Sequence, residues 1–312
     1  MLKKIMLFLV FLLLAIYFAV AYYFSDMLLI PKGTNISDVR NKSIRRTGFD
    51  YQKVYSSLGN LKEFSVKGAH DAEIKGWYYQ KDNAPCAVIM AHGWGSNRTG
   101  SLKYSRLFED CDCDLIFYDH RAHNESGCPY GTGGVLEAED LITVTDWVQK
   151  QNGLKDAQTG WLGVSWGAAT VLQAAGQSKR ELAFIIADSP FENWHTATTE
   201  RADKWFGKWT RIFTPALKLF VWLRTGTSFD DASSISHVNN IQAPVFLIHS
   251  QGDQSTGSQQ SVNISKHLPD ESEFHHTQWG SDHTRDITEH PEKFQQLVDA
   301  FMDKYVPEFG CY

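Results

Sequence analysis

The amino-acid sequence predicts an α/β fold, a mainly parallel sheet with helices on both faces and a helical cap insertion. Three observations lead there. Short continuous apolar runs, among them "CAVIMA", "DLIFYD", "GWLGVS", "AFIIAD" and "PVFLIHS", have the length and composition of strands buried on both faces. Helical patterns separate the later runs, notably over Val135 to Gln151, Ala168 to Gln177 and Pro291 to Tyr305. One long stretch without a convincing strand, residues 192–242, lies between "AFIIADSP" and "APVFLIHS" and breaks the alternation.

Taken from the N-terminus, Lys3 and Lys4 precede an uncharged run from Ile5 to Phe24, about the 20 residues that a membrane-spanning helix needs. Tyr22 and Tyr23 stand where interfacial aromatics belong. Ala19-Val20-Ala21 also fits a cleavage pattern, so two readings stand for residues 1–24: a retained single-pass anchor or a cleaved secretory signal. The apolar run is long for a signal, which favours the anchor, with the large domain outside the cytoplasm. Residues 25–60 are polar and mixed and are expected to form a tether. "FSVKG" and "AEIKGWYYQ" then open a domain expected over residues 61–306.

Composition narrows the partners. The net charge is −6 and the basic residues are scattered without interleaved aromatics, which argues against a nucleic-acid surface. Five cysteines make an odd count, and Cys111-x-Cys113 lacks the second pair of a zinc site. The expectation is small buried thiols or at most one disulfide, with no metal and no cofactor.

The chemistry is carried by "WLGVSWGAAT". A strand, a serine between Gly163 and Gly167, and a helix of small residues place Ser165 on a sharp turn at the carboxyl edge of the sheet, where ligands bind. A hydroxyl is a poor nucleophile unless a base takes its proton and a carboxylate orients that base. Asp253 follows "PVFLIHS" in "QGDQSTG", and His283 precedes the last helix in "QWGSDHTRD". Asp188, which ends "AFIIAD", is a rival acid. An oxyanion needs preplaced donors, and the backbone N–H groups of Trp166 and of Trp94 in "MAHGWGSNR" are the candidates.

"HGWGSNR", "YDHRAHNESG", "GVSWG", "HSQGD" and "SDH" together resemble the α/β-hydrolase superfamily, in its serine-hydrolase branch of serine-aminopeptidase-like and esterase-like domains. The resemblance spans about residues 60–306. It implies a triad of Ser165, Asp253 and His283, oxyanion amides at Trp94 and Trp166, and a small-molecule acyl substrate. Ala122 and Asn124 depart from it, standing where relatives commonly carry glycines, and no valine-proline follows the acid.

Within the insertion, Trp205, Trp209, Ile212, Phe213, Leu217, Phe220 and Val221 recur at near-helical spacing, interrupted by Pro215. Such a cap either lines an acyl site or buries its stripe on the domain. The expected function is a membrane-anchored serine hydrolase cleaving acyl bonds, with apolar acyl groups favoured. A non-catalytic binding protein on the same fold and a cofactor-free peroxidase are the other classes.

Overall fold

Eight strands form one sheet: β1 (Leu61–Lys67), β2 (Glu73–Tyr79), β3 (Cys86–Ala91), β4 (Cys113–Tyr118), β5 (Thr159–Val164), β6 (Phe184–Asp188), β7 (Val245–Ser250) and β8 (Ser272–Thr277). The order is β1-β2-β4-β3-β5-β6-β7-β8, with β2 antiparallel to β1 and β4 and every other pairing parallel. The structure is a computed structural model that describes residues 1–59, 61–309 and 311. Strands β3 to β7 are buried at every position, as continuous apolar runs require.

Side chains alternate between two cores. Ala87, Ile89 and Ala91 face one core with helices α4 (Val135–Asn152) and α5 (Trp166–Ser178). Cys86, Val88 and Met90 face the other, with α10 (Pro291–Tyr305) and a 3-10 segment over Arg98–Phe108. β8 carries "SEFHHT", a polar edge strand that the apolar-run criterion passes over.

Helix α1 runs over Leu2–Leu29, and the segment expected as a tether is folded onto the domain. Helices α2 (Ile36–Thr47) and α3 (Tyr51–Leu58) lie there, capped by Asn35 and Asp50, whose side chains accept from the Asp38 and Gln52 amides. Arg40 grips both oxygens of Asp50 at 2.7 Å. Ile36, Tyr51, Val54, Tyr55 and Leu58 pack against the second core, apolar positions that a polar average composition hides.

The insertion forms a cap of α6 (Trp194–Phe206), a 3-10 turn over Lys208–Phe213 and α7 (Thr214–Thr225). Pro215 sits in the first turn of α7, where a missing N–H costs nothing. The expected stripe divides. Val221 is buried beside Leu29 and Trp194, Phe220 meets Phe18 and Tyr22 edge-on, and Trp209 and Ile212 face outward. The remaining short helices are α8 (Gln259–Ser265) and α9 (Asp286–Glu289).

The expectation of at most one disulfide is corrected. Cys86 and Cys113, opposite one another in the β3–β4 register, are bonded, and Cys111 is bonded to Cys311. Cys128 is free and exposed. Each half of Cys111-x-Cys113 thus bonds a partner distant in sequence, which spacing alone does not reveal.

Candidate active site

Between β5 and α5 stands a single residue, Ser165, at φ 55° and ψ −111°, a conformation costly for any side chain. Its N–H donates to the Asp188 carbonyl at 2.7 Å and its carbonyl accepts from Ala169 at 3.0 Å. The flanking glycines are required by contact. A Cβ on Gly163 would lie 2.2 Å from the Gly167 carbonyl oxygen, and one on Gly167 would lie 2.1 Å from that of Ala91. Backbone packed that closely leaves the serine side chain to face the cavities above the sheet.

His283, in the loop after β8, brings Nε2 to 2.7 Å from Ser165 Oγ and Nδ1 to 2.5 Å from Asp253 Oδ2. Asp253, in the loop after β7, is fixed further by Ser255 and Thr256, whose amides donate to Oδ1 at 2.7 and 2.9 Å. Ser165, Asp253 and His283 therefore form one hydrogen-bonded line. Asp188 is not part of it. Its Oδ2 accepts from the Tyr104 hydroxyl at 2.5 Å and its Oδ1 from Ser189 at 2.8 Å.

A second imidazole, missed in the sequence, completes the acid's surroundings. Buried His249 Nε2 lies 2.9 Å from Asp253 Oδ2 and 3.2 Å from the Thr256 carbonyl, both acceptors, so it carries the proton and donates. Its Nδ1 accepts from Ser261 at 2.7 Å. Burial alone would raise the Asp253 carboxyl, and the hydrogen bonds from His249 and His283 outweigh it, holding it well below the usual carboxylate range. The two imidazoles and the carboxylate approach a metal-ligand geometry because they share one oxygen. His249 stands four residues before Asp253 in "HSQGD", the only hint available.

The loop after β3 carries Trp94. Among the described residues, no hydrogen-bond partner takes the backbone N–H of either Trp94 or Trp166, and both residues border the cavity at Ser165. Their indoles meet at 4.5 Å between centroids. A Cβ on Gly93 would sit 3.4 Å from that of Ser165, so a glycine keeps the approach open.

The loop is braced from beneath. Arg98 pairs with buried Asp119 at 2.7 Å, His92 Nε2 accepts from the His120 amide at 3.0 Å, and His123 Nε2 accepts from the Gly95 amide at 3.3 Å. Burial lowers His92 to about 4 and His123 to about 3, so this imidazole cluster is neutral. Ala122 and Asn124 adopt φ of 63° and 46°, the left-handed region in which a glycine is the easier residue.

Two cavities meet at Ser165. One, of about 490 Å³, is apolar and lies between the cap and the end of α1, lined by Tyr23, Phe24, Met27, Phe206, Phe213, Leu217 and the indoles of Trp94, Trp166 and Trp194. The other, of about 690 Å³, contains His283 and is bordered by α2 and the loops after β7 and β8. The α1–cap junction is fastened by Arg224, which pairs with Asp26 at 2.6 Å, bonds Ser25 Oγ at 2.6 Å and stacks over Tyr22 and Tyr130.

Comparison with known proteins agrees with this architecture. Residues 128–308 match the family model described as the prolyl oligopeptidase family. Over 290 residues, 91% of this chain and 92% of the relative, the sequence is 28% identical to the uncharacterized protein YqkD of Bacillus subtilis. Among solved structures, the esterase Pf2001 of Pyrococcus furiosus superposes with a TM-score of 0.63 at 24% identity, covering 80% of this chain and 95% of that one. An acylaminoacyl peptidase of Pyrococcus horikoshii gives 0.58 at 16% identity, covering 83% of this chain and 44% of that one. These structures share the fold.

Proposed function

Because the chain belongs to the prolyl oligopeptidase family and is a serine hydrolase, we propose that it cleaves apolar acyl esters at the membrane through Ser165, His283 and Asp253. The observation that carries this reading is the imidazole of His283 bridging Ser165 Oγ at 2.7 Å and Asp253 Oδ2 at 2.5 Å.

Ser165 Oγ attacks the acyl carbon while His283 Nε2 takes its proton, and Asp253 stabilises the imidazolium through Nδ1–H. The N–H groups of Trp94 and Trp166 receive the oxyanion; such a donor lowers the barrier by about 3 to 4 kcal/mol. As the acyl–oxygen bond breaks, His283 returns the proton to the departing alcohol. Water, deprotonated by the same imidazole, then cleaves the acyl-enzyme and regenerates the serine.

The apolar cavity between the cap and α1 supports an ester with a hydrocarbon acyl chain over a peptide. The length of Leu2–Leu29 and its most apolar 18-residue stretch, with a mean hydropathy of 2.8, support a retained anchor. Two disulfides support a domain outside the reducing cytoplasm.

Labelling with a fluorophosphonate probe tests the proposal. The wild-type chain is expected to label and to hydrolyse a short aryl ester, and Ser165→Ala is expected to lose both while keeping its melting temperature. Labelling that persists in Ser165→Ala refutes the assignment.

A further inference from the structure

The second cavity has a composition that ester hydrolysis by itself does not explain. In a chain of net charge −6, it is bordered by Lys42, Arg46, Lys103, Arg201, Lys204 and Arg285. Among the described residues, only Arg285 of these lies within 4 Å of a carboxylate, at 3.7 Å from both Asp282 and Glu289.

Four of the others rest on neutral oxygens. Lys103 Nζ donates to the Thr284 carbonyl at 2.6 Å, Lys204 Nζ to that of Gln254 at 2.6 Å, and Arg201 Nη2 to Ser255 Oγ at 3.1 Å. Lys42 has only a 3.5 Å approach to the Gly95 carbonyl. The guanidinium Nε of Arg201 is buried without any partner. The acids on the same wall are already engaged. Asp253 holds two imidazoles, Glu200 accepts from Gln260 at 2.7 Å, and Asp282 accepts from the Gln254 amide at 3.0 Å.

Cations held partly out of water with no carboxylate in contact, as Lys42, Lys103 and Arg201 are, cost free energy in the empty protein. That cost is visible in Lys103, which burial pushes down to about 8, and burial lowers Lys42 and Arg201 as well. An anion entering the cavity removes the cost.

Both cavities share Lys42, Arg201 and Ser165 in their walls. Ser165 thus lies between a mainly apolar cavity and one whose wall adds Arg46, Lys103, Lys204 and Arg285 to the shared Lys42 and Arg201. Resting on the serine-hydrolase reading of Ser165, we infer that the substrate class is an acyl ester whose departing alcohol bears a phosphate, with the acyl chain between α1 and the cap and the phosphate among Lys42, Lys103, Arg201 and Lys204. The bond broken is the acyl carbon–oxygen bond. The alcohol oxygen leaves with the proton from His283, and the phosphate ester stays intact.

The experiment uses the full-length protein in neutral detergent and compares kcat/KM for decanoyl glycerophosphate, uncharged monodecanoylglycerol and decanoyl-coenzyme A. A charge-assisted contact predicts a preference of roughly tenfold or more for a phosphate-bearing substrate over the uncharged one. Arg201→Gln and Lys42→Gln should each reduce that ratio severalfold, mainly through KM. A higher rate with decanoyl glycerophosphate than with either other substrate supports the inference; a higher rate with decanoyl-coenzyme A, a thioester that releases a thiol, overturns the assignment of a phosphate-bearing alcohol. A ratio near one, or a ratio unchanged in both variants, overturns the inference while leaving the hydrolase reading intact. Absence of hydrolysis of all three together with absence of fluorophosphonate labelling overturns the hydrolase reading itself.

Discussion

Replacing the acid by its amide isolates a single atom. Asp253 Oδ1 accepts two backbone amides, from Ser255 and Thr256, while Oδ2 accepts from His283 and His249. In Asp253→Asn the one remaining oxygen must stay with the two amides, because turning the group would aim its NH2 at two N–H donors. The NH2 therefore takes the position of Oδ2 and donates to His283 Nδ1. The imidazole is then protonated on Nε2, facing Ser165 Oγ, and has no lone pair with which to take the serine proton. Loss of the correct tautomer in such an arrangement lowers turnover by roughly 10⁴-fold, about 5.5 kcal/mol of barrier. His249 adapts by accepting through Nε2 and donating through Nδ1 to Ser261, losing only its 3.2 Å contact with the Thr256 carbonyl, so the fold should survive. The assay is steady-state hydrolysis of a short aryl ester, with circular dichroism and a thermal melt as controls. KM should stay near wild type while kcat falls. Asp188→Asn, whose carboxylate is held by Tyr104 and Ser189, should lose far less. A crippled Asp188→Asn beside an Asp253→Asn within tenfold of wild type would refute the reasoning.

Three more outcomes are expected. Gly167→Ala places a methyl 2.1 Å from the Ala91 carbonyl oxygen, a backbone atom that cannot swing aside, and should destabilise the domain by about 3 kcal/mol in a denaturant titration; a wild-type midpoint contradicts the contact. Leu217→Trp fills part of the apolar cavity and should lower kcat/KM for a dodecanoyl ester by about tenfold relative to an acetyl ester. Equal losses on both would mean that this wall does not hold the acyl chain. Alkylation in denaturant without reductant should modify Cys128 alone, and mass spectrometry after reduction should find the other four cysteines unlabelled.

Ser165 and Asp253 were legible because each follows a short apolar strand, and parallel strands deliver their following loops to one edge of the sheet; His283 follows the polar strand β8 and was legible only as a histidine in the loop before the last helix. The two glycines around Ser165 were legible for the same local reason. His249 was not, since a histidine at the end of an apolar strand reads as an ordinary core residue until Asp253 is seen to accept from it. Residues 25–60 were misleading because a few apolar positions, Ile36, Tyr51, Val54, Tyr55 and Leu58, are enough to dock two short helices. The cation-rich wall was hidden more deeply. Lys42 stands on α2, Lys103 beyond β3, Arg201 on the cap and Arg285 beyond β8, and only the assembled fold brings them to one cavity.

If α1 spans a bilayer, as proposed above, its contact with the cap also fixes a depth. The helix is uncharged from Ile5 to Ser25, about 31 Å at 1.5 Å per residue, against a hydrocarbon layer of about 30 Å. Its first cap contacts come at Tyr17, which stacks on Phe213 and donates to the Ile212 carbonyl. The stretch from Tyr17 to Ser25, about 13 Å of helix, therefore runs beside the cap. A bilayer that covers the whole uncharged span cannot stop short of the cap; it must rise around it. Trp209, Ile212, Leu219, Trp222 and Leu223, all exposed on that rim, would then face lipid chains instead of water, while long side chains such as Lys208 extend toward the headgroups. An acyl chain could pass sideways from the lipid into the space between Phe24, Phe206 and Phe213 without the cost of about 0.8 kcal/mol for each methylene exposed to water.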